Sequence, residues 1–450
     1  MTPQRTHAVV AGAGVAGLAA AAMLASRFAQ VTVIDRDELA EGAVPRRGVP
    51  QSEHGHVLLG AGQQALEKLL PGLREEMIAA GAVPFEPGED LAFHRYGARW
   101  PKIDTGLELI TFSRPLLEWV LRGRVAAFPN VAFRSGLAVS GLSGDDGRVT
   151  GVTTGEGGLD ADLVVDCTGR GSRSDRWLAA LGLPAPRVTE VRIDVGYSTR
   201  LFRRLPGDMD DSVAHFALPT PPHELRAGLA LPIEGDRWLI SMGGWHGDYP
   251  GDEDAFLAHA KSLPLPEIAR LVTEREPLTD LVTCGYPASR RRHFEELDRV
   301  PAGYLALGDA MCSFNPIYGQ GMTCGAQEAV ALGALLDAGP LDEAAYYREA
   351  ARIITTPWQF AVGADFTYPQ TKGERPRGVG LRNRFGRELQ FAAQNDPEIR
   401  RVYMRVQHLL LPPEVLFKPA MIVKILRAAR RRRKELSRAG TPVDAVSRAG

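Results

Sequence analysis

The chain has 450 residues, 44% of them hydrophobic and 24% charged, with a formal net charge of −1. That length exceeds one comfortable core and predicts two closely joined domains, and the near-zero charge excludes a protein that attracts a nucleic-acid backbone globally. Four cysteines (Cys167, Cys284, Cys312 and Cys324) lack CxxC spacing, which speaks against a disulfide scaffold, a thiol redox pair and a zinc site, and fits a reducing bacterial cytoplasm.

The stretch 8–25 is apolar, but it is built of Ala and Gly with three spaced glycines. It therefore predicts a buried strand–turn–helix rather than a signal or membrane-spanning segment. Periodicity places a strand at 7–11, a helix over 17–27, and a second strand over 31–34 that ends at Asp35. Such a βαβ opening implies a parallel sheet with right-handed crossovers. After an irregular stretch over 36–59, helical periodicity runs over 62–80, and a further helix over 113–125 carries Pro115 near its start. Residues 131–166 alternate in β fashion around a turn at 144–147 and end in the apolar strand 163–165. Strand-like runs fill 187–290, where 229–233 and 238–242 flank a turn at 234–237 and read as a hairpin. A buried strand returns at 304–307, with a helix expected over 316–336. From 341 onward the pattern is helical. It closes in an amphipathic stretch from Pro412 whose basic run, 430–434, reads as a solvated helix end complementing its dipole rather than a membrane contact.

This order predicts an α/β protein: a Rossmann-like nucleotide-binding domain with an inserted antiparallel-sheet substrate domain and a helical C-terminal region. The nucleotide-binding parts are 1–90, 113–186 and 291–340. The substrate domain takes 91–112 and 187–290, and the helical region takes 341–450.

Two motifs carry the chemistry. Gly12-Ala-Gly14-Val15-Ala16-Gly17 lies between a strand and a helix. Gly12 permits the tight turn, Gly14 lets the backbone approach a pyrophosphate, and Gly17 lets the helix pack on the sheet. Asp35, with Arg36 beside it, ends the second strand, where a carboxylate accepts hydrogen bonds from ribose hydroxyls. The second motif, Gly308-Asp309 through Asn315-Pro316, Gly319, Gly321 and Met322, decides between NAD and FAD. A strand delivers Asp309 to the ribityl or pyrophosphate region, and Gly319 and Gly321 let backbone lie against a flat ring. Pro316 suits a helix whose N-terminus, aimed at the flavin, would stabilise the anionic reduced ring.

These motifs, with Asp162 to Gly169, resemble the FAD-dependent monooxygenases of the aromatic hydroxylase and squalene epoxidase superfamily. Further stretches look like the bacterial polyene epoxidases of polyether antibiotic pathways: Arg46 to Gln51 followed by His54 and His56, Ser113-Arg114-Pro115, Phe314 to Met322, Pro357-Trp358 and Tyr368-Pro-Gln370. The resemblance implies that Arg46 or Arg47 folds over the FAD, that Arg114 reaches its phosphate or ribityl side, and that Val139 lies by the adenine. It implies NADPH or NADH as electron donor, directly or through a partner flavin reductase. Thr168-Gly169 stands where aromatic hydroxylases carry an Asp-Gly pair associated with NADPH contact, which leaves the route of reduction open.

Reduced FAD captures O₂ as a C4a-hydroperoxide with an electrophilic distal oxygen, so an alkene can attack it without a protein base, and no catalytic side chain is assigned. The expected reaction is epoxidation of a hydrophobic polyene. An aromatic hydroxylase and a flavin-dependent reductase of isoprenoid double bonds are the alternatives. The tryptophan-halogenase signature is absent. Trp245, Phe314, Trp358 and Phe366 are candidate walls of an apolar pocket. His54 and His56 read as packed histidines, and no metal is expected.

Overall fold

The computed structural model describes residues 5–145, 147–209 and 211–439. Asp146, within the expected turn at 144–147, and residues 440–450 of the C-terminal region lie outside the described residues.

The apolar strands His7–Ala11 and Leu163–Asp166 are flanked by others of the same character in a five-stranded parallel sheet. Its order is Tyr304–Ala306, Leu163–Asp166, His7–Ala11, Gln30–Ile34, Val131–Arg134. The strands are buried almost throughout, as parallel strands covered on both faces must be, except the edge strand Val131–Arg134, which is half-exposed. The glycine-loop helix, Val15–Ala25, is buried on all sides except at Ala16. This explains an Ala-rich composition with no polar face.

The inserted domain is a nine-stranded sheet centred on the long strands Arg187–Arg203 and Val282–His293. It is antiparallel apart from one parallel pair, Ala214–Ala217 beside Leu91–Arg95. The expected hairpin is present as Arg226–Ile233 and Arg237–Gly244, joined where Gly235 and Asp236 both take positive φ. A small three-stranded antiparallel sheet spans Val139–Asp145, Arg148–Thr154 and Gly157–Asp160. The helices Glu343–Asp365, Val379–Asn395, Pro397–Gln407 and Pro419–Arg438 follow. The last three close over the end of Leu91–Arg95 through a separate core that includes Tyr96, Trp100, Phe391 and Tyr403. Among the described residues no helix is long and apolar enough to cross a membrane.

Several expectations need correction. The helix expected over 62–80 is two, Gly60–Leu69 and Leu73–Ala79, because Pro71 is followed by Gly72 at φ +83°. Pro316 opens only the short 3₁₀ turn Pro316–Tyr318, and Gly319 in the left-handed region ends it. The long helix starts afresh at Gly321–Ala338. The basic run is only partly solvated: Arg432 Nε donates to Gln394 Oε1 at 2.7 Å, and Arg433 pairs with Glu388.

Glu328, fully buried in the helix Gly321–Ala338, accepts from the Gly308 N–H at 2.6 Å. Its other carboxyl oxygen has no partner. Burial, opposed by that hydrogen bond, pushes its pKa from an ordinary 4.5 to about 8. The folded protein therefore keeps a proton that the unfolded chain releases, and stability falls as pH rises from about 4.5 to about 8. Glu328→Gln keeps the acceptor and removes the titration. Its melting temperature relative to the parent should rise by several degrees between pH 5 and pH 8, roughly as expected for a shift of this size. Thermal unfolding at the two pH values checks this, and an offset that does not change with pH contradicts it.

Candidate active site

The glycine loop is built by close approach. A Cβ at Gly12, whose φ is +108°, would lie 2.4 Å from the Cys167 carbonyl oxygen. One at Gly17 would lie 1.9 Å from the Gly12 carbonyl oxygen, so the helix can start here only without side chains at these positions. Gly14 is open, its nearest neighbours being Arg114 Nη2 at 3.8 Å and Glu118 Oε1 at 3.9 Å. No side chain caps the helix that starts at Val15, which leaves its first N–H groups free for an anion.

A buried charge network encloses this loop. Asp35 Oδ2 accepts from the Ala13 N–H at 2.6 Å and from Arg46 Nη1 at 3.2 Å, and Oδ1 accepts from the Asp37 N–H. Arg46 also donates to Glu118 Oε2 at 2.6 Å, and Arg114 Nε donates to Glu118 Oε1 at 2.7 Å. Burial alone would raise the pKa of Glu118, but Arg114 and Arg46 outweigh it and hold the carboxyl below its ordinary value. Of the two candidate arginines Arg46 is the one drawn inside. Arg47 is exposed, and Arg36, also exposed, donates to the Gly48 carbonyl. Val139 is half-buried at the start of the three-stranded sheet and packs against the main core.

Asp309 is half-buried and has no hydrogen-bond partner among the described residues. Burial raises its pKa to about 6, with Arg114 and Arg170 opposing. A Cβ at Gly321 would lie 2.9 Å from Asp309 Oδ1, so glycine keeps this carboxylate accessible. Met322 is buried in the first turn of the uncapped helix beyond. Asn315 is fully buried; its amide donates to Asp365 Oδ1 at 2.9 Å. Tyr318 and Trp245 donate to the same oxygen, at 3.1 and 3.3 Å. Asp365 thus ties the turn Pro316–Tyr318 to the large sheet, and its burial raises its pKa to about 7.

A cavity of about 480 Å³ lies between that sheet, the turn at 316–320 and the C-terminal helices. Its lining includes Phe93, Trp245, Leu229, Tyr318, Phe360 and Phe417, and no Asp, Glu or Lys among the described residues. Trp245 is a wall, but Phe314, Trp358 and Phe366 are not. They are buried in the main hydrophobic core instead, a placement that aromatic character alone does not separate from pocket lining. His54 bonds Thr199 Oγ1 at 2.7 Å and His56 bonds the His54 carbonyl at 2.9 Å. Burial lowers the two pKa values to about 4 and about 3.

Sequence reasoning missed Glu118 and Asp365. The i,i+4 spacing of Glu118 from Arg114 is a usable signal for the first. Asp365 has none, since its partners come from two segments distant in sequence, Asn315 with Tyr318, and Trp245.

Protein Rv3254 of Mycobacterium tuberculosis is 32% identical over 431 residues, 89% of each chain. The chain belongs to the family of Protein Rv3254. It is also 28% identical over 354 residues to 6-methylpretetramide 4-monooxygenase of Streptomyces rimosus, covering 74% of this chain and 76% of that one. No family model matches. Among solved structures, a flavoprotein/dehydrogenase from Cytophaga hutchinsonii superposes with a TM-score of 0.68 at 15% identity, over 95% and 99% of the two chains. The tetrameric form of 2-methyl-3-hydroxypyridine-5-carboxylic acid oxygenase gives 0.59 at 18% identity, over 80% and 89%. The fold of the Rv3254 relative described here is thus that of the flavin-dependent monooxygenases and hydroxylases.

Glu118→Ala should cost about 3–5 kcal/mol in denaturant unfolding, because Arg46 and Arg114 would be left buried without their shared carboxylate. A loss well below about 1 kcal/mol, the range of exposed ion pairs, would show that the triad is not desolvated.

Proposed function

We propose that the chain is an FAD-dependent monooxygenase that epoxidises alkene bonds of an extended hydrophobic polyketide, taking electrons from NADPH or NADH directly or through a partner reductase. The residues present fit FAD. The uncapped helix start at Gly14 and Val15 would hold the pyrophosphate, the Asp35–Arg46 pair would hold the adenosine side, and Arg114 with the unpartnered Asp309 would hold the ribityl side. The uncapped helix at Gly321 would face the ring. Bound FAD would supply the two-electron activation of O₂.

The chain's own part is binding, orientation and exclusion of water. One observation carries the choice of substrate: the cavity meets the flavin-facing turn at 316–320, and among the described residues no carboxylate lines it. His408, the histidine in its lining, has its pKa lowered to about 4 by burial. A phenol gains from a base that takes its proton, whereas an alkene needs none. Aromatic hydroxylation is the second reading, and the likeness to 6-methylpretetramide 4-monooxygenase favours it.

The test is turnover of a conjugated polyene and of a phenol by the FAD-reconstituted enzyme with NADPH under isotopically labelled O₂. One labelled oxygen atom in an acid-labile epoxide of the polyene is the expected outcome. Labelled oxygen in the phenol alone would establish the second reading, and reduction of a double bond without label would refute both.

A further inference from the structure

Four arginines line the largely apolar cavity, Arg95, Arg382, Arg387 and Arg400; Arg382 is exposed, whereas Arg95 is half-buried with a buried Nε that has no hydrogen-bond partner. Arg95 ends the strand Leu91–Arg95 and lines the cavity. It is half-buried, with part of its surface in the cavity. Its backbone is fixed, because Trp100 Nε1 and Gln394 Nε2 both donate to its carbonyl at 3.3 Å. Its guanidinium lies 5.4 Å from the centre of the Tyr96 ring, its Nε is buried without a hydrogen-bond partner, and among the described residues it has no ion pair.

None of its neighbours accepts a hydrogen bond from it. The ionisable groups around it are Tyr96, Tyr318, Tyr368 and Tyr403. Three of their hydroxyls are already engaged: Tyr318 donates to Asp365, Tyr368 donates to the Glu224 carbonyl, and Tyr403 accepts from Gln390. No carboxylate is among the charged groups that act on it. Arg400, in the same lining, shows the contrast. It donates to the carbonyls of Ala393, Gln394 and Pro101 and lies 4.4 Å over the Trp100 ring.

A half-buried guanidinium with a buried, unpartnered Nε gains most from an anion that completes it. Resting on the reading of this cavity as the substrate site, we propose that Arg95 anchors an anionic group of the substrate, a carboxylate, so that the substrate is an unsaturated chain with an acidic head rather than a neutral hydrocarbon. A planar guanidinium with adjacent free N–H groups matches a carboxylate in bidentate fashion. Tyr318, within electrostatic reach of Arg95, belongs to the flavin-facing turn, so an anchored head would set which double bond reaches the ring.

Calorimetry of the FAD-reconstituted enzyme with cis-parinaric acid, a conjugated tetraene carboxylate, and with its methyl ester tests this. The acid should bind at least about tenfold more tightly than the ester, in line with a charge-assisted pair. Arg95→Met should abolish that preference, and Arg95→Lys should retain part of it, with FAD content unchanged in both. Equal binding of acid and ester, binding of neither, or a preference that survives in Arg95→Met would overturn the proposal. The acid–ester comparison on the parent enzyme decides even if a variant fails to fold. FAD content and oxygen incorporation, read separately, show whether the monooxygenase reading stands independently.

Discussion

A single methyl group organises the centre of the molecule. The Ala16 side chain is so placed that a Cβ at Gly308 would lie 2.8 Å from it and one at Gly325 2.9 Å from it. Gly12 meets the Cys167 carbonyl with equal intimacy. The ends of three parallel strands, at Ala11, Asp166 and Ala306, are therefore drawn to one point at the carboxyl edge of the sheet. Open α/β sheets bind their ligands at that edge. Segments far apart in sequence become one site because glycine lets backbones touch there. Everything else about the site follows from this convergence, including two uncapped helix starts and a half-buried carboxylate without a partner.

Charge is distributed unequally between the two halves of the site. On the nucleotide side Arg46 and Arg114 share Glu118, and Asp35 is satisfied by Arg46 and backbone N–H groups. Such a network holds its own geometry before any ligand arrives. On the cavity side apolar walls surround Arg95, which has no such partner. The first half is prepared for a ligand whose charges are always the same. The second is prepared for one anion at one place, with the rest of the molecule recognised by shape.

Much of the nucleotide half was legible because its signals are local. Strand, glycine turn, helix and Asp35 follow one another within a single βαβ unit, and periodicity with glycine spacing reports each. The segment 308–322 was less so. Pro316 is a permissible helix start, but only the backbone shows that Gly319 takes the left-handed region and stops the turn after three residues. The cavity was mostly illegible. Trp245 and Trp358 are alike as sequence and both belong to the main core, yet only Trp245 also lines the cavity. Arg95 and Asp365 sit among partners from distant segments, and no spacing rule connects them.

Convergence of the 12–17 and 308–322 segments with Arg114 on one bound FAD is the central claim. Hydrogen-exchange mass spectrometry with and without added FAD tests it most directly, since amides at a ligand-binding helix start are slowed when the ligand covers them. Protection is expected together in 12–18, in 112–118 and in 308–322. Protection confined to the first segment would indicate a nucleotide bound without a ring at the second, and no protection in any of them would contradict the account outright.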